Sequence, residues 1–190
     1  MDHSYGIVLQ AKLSKQNKIL LLDKSHGKIV AIPFCKKQLH LSPGTMLEYV
    51  LSQKIYGFCI EQISIYDAPL TLGRNDILFL HTVLELCLYG LVENQSAVPI
   101  FADFYGMLYT HSKQWNNMQK LVFILRFLWN TGMYAEEAVK KYPHIPSLFV
   151  LPLELMIHKA VECKYEELRM CIQLCLQVHP QREKFKVLVG

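Results

Sequence analysis

Between Tyr5 and about Asp67, apolar and polar positions alternate in short runs separated by turn residues, and the pattern predicts five strands of a small barrel. The first run is YGIVLQAKL; SKQN then turns the chain into KILLLD, where Ile19 and Leu21 share one face and Leu20 and Leu22 the other. KSHG reads as a hairpin turn, because Gly27 can adopt the positive φ that such a loop often needs. KIVAIPF is the third strand, its end weakened by Pro33, which cannot donate to a ladder. After the polar stretch CKKQLHLSPG come TMLEYVLSQ and GFCIEQISIYDA, with Gly57 breaking between them and Asp67, Ala68 and Pro69 closing the module.

From Arg74 the period lengthens from two to about 3.6. In NDILFLHTVLELCLYGL, Ile77, Leu80, Leu84, Cys87, Leu88 and Leu91 line one broad face, and Asn75 or Asp76 can cap the helix. Further helices are predicted over VPIFADFYGMLYTHS and NMQKLVFILRFLWNT, the latter ended by Gly132 in a left-handed cap. Beyond the loop marked by Pro143 and Pro146, two more cover SLFVLPLELMIHKAVE, started or kinked at Pro152, and YEELRMCIQLCLQVH, ended by Pro180. The expected fold class is α+β: a five-stranded barrel over residues 1–68 and an all-α domain over 69–190.

Composition adds three points. No uninterrupted apolar stretch is long enough to span a bilayer, and the N-terminus lacks the layout of a secretory signal, so a cytoplasmic protein is expected. The six cysteines fall largely in apolar surroundings, where a thiol behaves as a small hydrophobe, and imply no disulfide framework. The net charge of +4 is unevenly spread: residues 11–40 hold seven lysines (12, 15, 18, 24, 28, 36 and 37) against one acid, Asp23.

Bond-making chemistry finds little support. There is no phosphate-cradling glycine loop and no nucleophile elbow, and SHGK at 25–28 has the wrong spacing for the former. The acid pairs Glu136/Glu137 and Glu166/Glu167 fall at helix starts, where carboxylates favour the positive dipole end. Cys171, Cys175 and His179 recur every four residues along one predicted helix, with Cys163 two turns earlier. One straight helix cannot surround a tetrahedral ion, so this spacing points to helix packing rather than a metal site. A protein without enzymatic activity, cofactor or metal is expected.

The lysine-rich barrel carries the more informative chemistry. Lysines neutralise phosphate backbones and aromatic rings stack on unpaired bases; Tyr5, Phe34, Tyr49, Tyr56 and Phe58 are the rings at hand, although core packing claims some of them. The segment GIVLQAKLSKQNKILLLDKSHGKIVAI is similar to the opening of the RecO recombination mediators, and QKLVFILRFLWNTGMYAEE resembles their central helix and the turn that follows it. The resemblance implies an N-terminal OB barrel, a helical domain, and nucleoid-associated DNA repair and recombination. It also implies binding and annealing of single- and double-stranded DNA, with RecR and the acidic tail of the single-stranded-DNA-binding protein as partners in RecA loading. Gly27 and Lys28 match the family motif, and charge adds Lys12, Lys15, Lys18, Lys36 and Lys37 as DNA-binding residues. Two departures stand out: PFCKKQLHLSPG carries lysines but no arginine where the family has a basic glycine-arginine loop, and MYAEEAVKKYPHIP lacks the four-cysteine zinc knuckle of many members. The competing reading is a protein-interaction adaptor that uses a barrel edge or helical groove and binds no DNA.

Overall fold

In the computed structural model of the chain, residues 3–13, 18–34, 41–55, 57–70, 75–110, 115–180 and 182–185 are described. The chain forms two compact units, Met1–Ser112 and Lys113–Gly190. Strands give way to helices near residue 70, and the contacts divide later, so two helices belong to the same unit as the barrel.

The five expected strands are present as β1 (His3–Leu13), β2 (Lys18–Asp23), β3 (Gly27–Pro33), β4 (Met46–Lys54) and β5 (Gly57–Asp67). They close into a barrel in the order β1-β2-β3-β5-β4, with β1 pairing β4 antiparallel and β3 pairing β5 parallel. This is the OB-fold arrangement, in which closure leaves no sheet edge exposed. Alternation explains the interior: Val8, Ile19, Leu21, Ile29, Ala31, Leu47, Tyr49 and Ile60 form its core. Leu20 and Leu22, on the opposite face of β2, are buried as well. Such two-sided burial needs a second layer, and helix α1 (Ile77–Gly90), capped by the Asp76 side chain on the Phe79 amide, packs against β1.

Two contacts fix the rest of this unit. Gly27 adopts φ +70°, and a Cβ there would lie 1.9 Å from the Gln95 carbonyl oxygen, so glycine is required both by conformation and by the loop that follows α1. Helix α2 (Val98–Tyr105) runs into a π-helical turn over Gly106–Thr110, from which the Tyr109 hydroxyl donates to the Gly44 carbonyl.

The second unit holds α3 (Asn117–Asn130), α4 (Glu136–Lys141), α5 (Leu153–Lys159) and α6 (Tyr165–Val178), with short 3₁₀ turns between α4 and α5 and between α5 and α6. Helix α3 begins in a capping box between Asn116 and Gln119. It ends in a Schellman motif, with the Gly132 amide on the Trp129 carbonyl and the Met133 amide on that of Leu128. Val122, Phe123, Ile124, Leu125, Phe127 and Leu128 are all buried, so α3 is apolar on most of its circumference; α5 and α6 pack on it, and α4 packs on α6. Its Arg126 donates to the Leu151 carbonyl just before α5. Pro152 starts α5, as its missing amide allows. No helix among the described residues is long and apolar enough to cross a membrane.

Candidate nucleic-acid interface

A groove of about 660 Å³ opens on the barrel where β2 and β3 meet the turn between β4 and β5. In OB folds this face, with the loops joining strands 1–2 and 4–5, takes oligonucleotides and oligosaccharides. Its floor is apolar, from Val30 and Ile32 on β3. Lys18 enters from the start of β2, and Lys54 and Ile55 come from the β4–β5 turn, where Ile55 is 94% exposed. The far wall is Glu93 and Asn94, tied to β3 by the Asn94 amide donating to the Lys28 carbonyl at 2.8 Å. Two lysines against one glutamate leave this lining positive, which suits a polyanion.

Phe58 and His26 also line the groove, with ring centroids 5.4 Å apart. His26 is held from behind by Asp23, a fully buried carboxylate at the end of β2. Asp23 Oδ1 accepts from the Ser25 amide at 2.9 Å, the His26 amide at 2.8 Å and His26 Nδ1 at 2.8 Å. Oδ2 accepts from the Ser4 hydroxyl at 2.8 Å and the Tyr49 hydroxyl at 2.6 Å. Burial alone would push the Asp23 carboxyl upward; the hydrogen bonds from Tyr49, His26 and Ser4 outweigh it and hold the group below the usual carboxylate value. Burial and the adjacent carboxylate push the Tyr49 phenol well above its ordinary value. Gly6 makes the network possible, since a Cβ there would lie 2.4 Å from the Tyr49 hydroxyl.

The expected DNA-binding lysines part company here. Lys18 lines the groove. Lys28 does not: it is 8% exposed, and its ammonium donates at 2.9 Å to the Leu88 carbonyl in the last turn of α1. That carbonyl lacks an intrahelical partner, and a lysine satisfies it from the barrel wall, so Lys28 joins helix to sheet instead of holding a phosphate. Lys15, Lys36 and Lys37, and the side chain of Lys12, lie outside the described residues. Among the aromatics, Tyr49 is core, Tyr5 donates to Glu48 and packs edge-on against Tyr66, and Phe34 is 76% exposed beyond the end of β3. Tyr56 lies outside the described residues. Lys54 and His26 carried no signal in the charge run over residues 11–40; the hairpin break at Gly57 marks the loop that delivers Lys54.

In the helical unit Cys171 and Cys175 are buried on α6. The Cys175 sulfur accepts from the Ala135 amide at 3.3 Å, and burial pushes its thiol up to about 11. The His179 ring packs edge-on against Phe185 at 5.1 Å. Among the described residues no three histidine, cysteine or acidic side chains converge on one point. No protein-family model matches the chain, and no curated protein matches it in sequence.

Proposed function

We propose that this chain is a DNA-binding recombination mediator that works without bond chemistry, its OB barrel holding the phosphate backbone in the groove between β2–β3 and the β4–β5 turn. One observation carries the reading: Lys18, Lys54, His26 and Phe58 converge on the face that OB folds use for oligonucleotides. Lysines supply affinity without reading sequence, and rings supply sequence-tolerant stacking. The mediator role, with DNA annealing and partnership with RecR and the tail of the single-stranded-DNA-binding protein, follows the resemblance of residues 6–32 to the RecO opening. Lys12, Lys15, Lys36 and Lys37 stay in the proposed DNA-binding set, Lys54 joins it, and Lys28 leaves it.

The test is fluorescence-anisotropy binding to labelled single-stranded and duplex DNA over a salt series, with wild type beside a Lys18→Glu/Lys54→Glu double variant. Each lysine–phosphate contact contributes roughly 0.7 to the log–log salt slope on single strands. The double variant is expected to bind at least tenfold more weakly and to lose about 1.4 from that slope. Absence of binding by the wild type at low salt would replace this reading with the adaptor, for which the exposed Ile55 at the groove mouth would be the apolar anchor.

A further inference from the structure

Charge is unevenly divided around the barrel. Residues 11–40 are strongly basic, whereas Met46–Asp67, which spans β4 and β5, carries Glu48, Glu61 and Asp67 against Lys54, three acids to one base and a net charge of −2. Strand β4 lies between β1 and β5, with Tyr5 opposite Glu48, His3 opposite Val50, and Val50 opposite Glu61. Val8, Leu47, Tyr49 and Ile60 point into the core, so these alternate positions share the outer face. Tyr66 joins them, its ring edge-on to that of Tyr5 with centroids 5.3 Å apart. On β5, Ile60 is wholly buried, yet Ile65 and Tyr66 are 57% and 53% exposed. Adjacent large side chains left in water on a sheet mark a binding surface, as singly scattered ones do not.

The polar groups define what fits. The Tyr5 hydroxyl donates to Glu48 Oε1 at 3.2 Å, and His3 Nδ1 lies 3.4 Å from the same oxygen, so this carboxylate is held through one oxygen. Glu61 has no hydrogen bond or ion pair among the described residues. Lys24, whose amide donates to the Tyr5 carbonyl, borders the face on its β2 side, which directs a cation towards β4 and β5. Carboxylates repel a phosphate backbone, and exposed tyrosine rings attract cations to their faces. A guanidinium satisfies both groups at once, because it is planar, stacks on rings and forks onto carboxylates; an ammonium is a point charge. Spacing adds a further condition. Glu61 pairs with Val50, two residues beyond Glu48, an offset of roughly 7 Å along the strands, and an extended chain repeats its same-side side chains at that interval. The whole chain is at +4 and repels cationic peptides, so affinity for one must arise at a local face.

We propose that the outer face of β1, β4 and β5 docks an extended segment of a partner protein that carries arginines two residues apart, set against Glu48 and Glu61 and beside the Tyr5–Tyr66 pair. The proposal is independent of the groove, and its failure would leave the nucleic-acid reading intact.

The probe is a fluorescein-labelled peptide, Gly-Arg-Thr-Arg-Gly, titrated with the full chain and followed by anisotropy, beside its lysine counterpart. Saturable binding is expected below about 1 mM, with the lysine peptide roughly threefold weaker. Glu48→Gln/Glu61→Gln is expected to weaken the arginine peptide roughly fivefold, and Glu61→Gln alone, which leaves the Tyr5 and His3 contacts of Glu48 in place, about twofold. Tyr66→Ala should erase the preference for arginine over lysine. An amide chemical-shift map of the unaltered protein locates the contact without any variant: the peptide should move Tyr5, Glu48, Glu61 and Tyr66 and leave Lys18 and Ile32 in place. No saturable binding, undiminished binding by the folded double variant, or shifts that fall elsewhere on the protein would overturn the proposal. Shifts of this face by oligothymidine in place of the peptide would overturn it too, assigning the face to nucleic acid.

Discussion

The barrel unit encloses a fully buried polar network within its apolar core, whereas the fully buried side chains of the helical unit are apolar. Asp23 and Tyr49 are both fully buried, joined by a 2.6 Å hydrogen bond at the base of the turn that presents His26. Phe123, Leu125, Leu168 and Cys171 are buried to the same degree around α3 and α6, and the bonds that organise this unit lie at its helix ends and loops. A directional network fixes one geometry, because each partner must point at a given oxygen. Apolar packing fixes volume and leaves orientation freer. The polar corner stands behind the groove, where a ring must be aimed, and the apolar one supports a bundle.

The contrast can be broken from either side. Truncating Phe123 to alanine removes the largest fully buried ring of α3 and is expected to destabilise the protein by about 4 kcal/mol in a denaturant titration. Asp23→Asn keeps the volume but removes the charge and turns one accepting oxygen into an N–H donor facing other donors, so the loss, about 3 kcal/mol, comes from the polar network and not from packing. Its pH signature differs as well. The folded carboxyl lies below its unfolded value of about 3.9, so the stability it contributes is present above that pH and is lost as pH falls towards the folded value. Wild type should therefore weaken through this acid window more steeply than Asp23→Asn, and parallel curves would remove the network from the explanation. The smallest effect is at an exposed helix end: Asn116→Ala breaks the capping box of α3 and should cost about 1 kcal/mol by the same titration.

Much of the barrel was legible because alternation and turn chemistry are local. Gly27, Gly57 and Pro33 stand at strand ends where the pattern puts them, and Ile19 and Leu21 point into the core. The short helix Glu136–Lys141 gave little periodic signal: it spans under two turns and has no side-chain N-cap. The site was half legible. Lys18 is there, but Lys28 resembles any surface lysine until the last turn of α1, 60 residues away, supplies a carbonyl for it. Lys54 and Phe58 reach the groove only because β5 pairs with β3, a long-range pairing that no local pattern encodes. Asp23 read as the lone acid in a basic run; its five hydrogen bonds need β1 and β4 alongside.

The most direct test of the nucleic-acid groove is an amide chemical-shift map of the isotopically labelled protein as single-stranded oligothymidine is added. Binding in the groove predicts that the largest shifts fall at Lys18, His26, Ile32, Ile55 and Phe58, with the interior positions Val8 and Leu47 unmoved. Shifts confined to the helical unit, or none at saturating oligonucleotide, would contradict it.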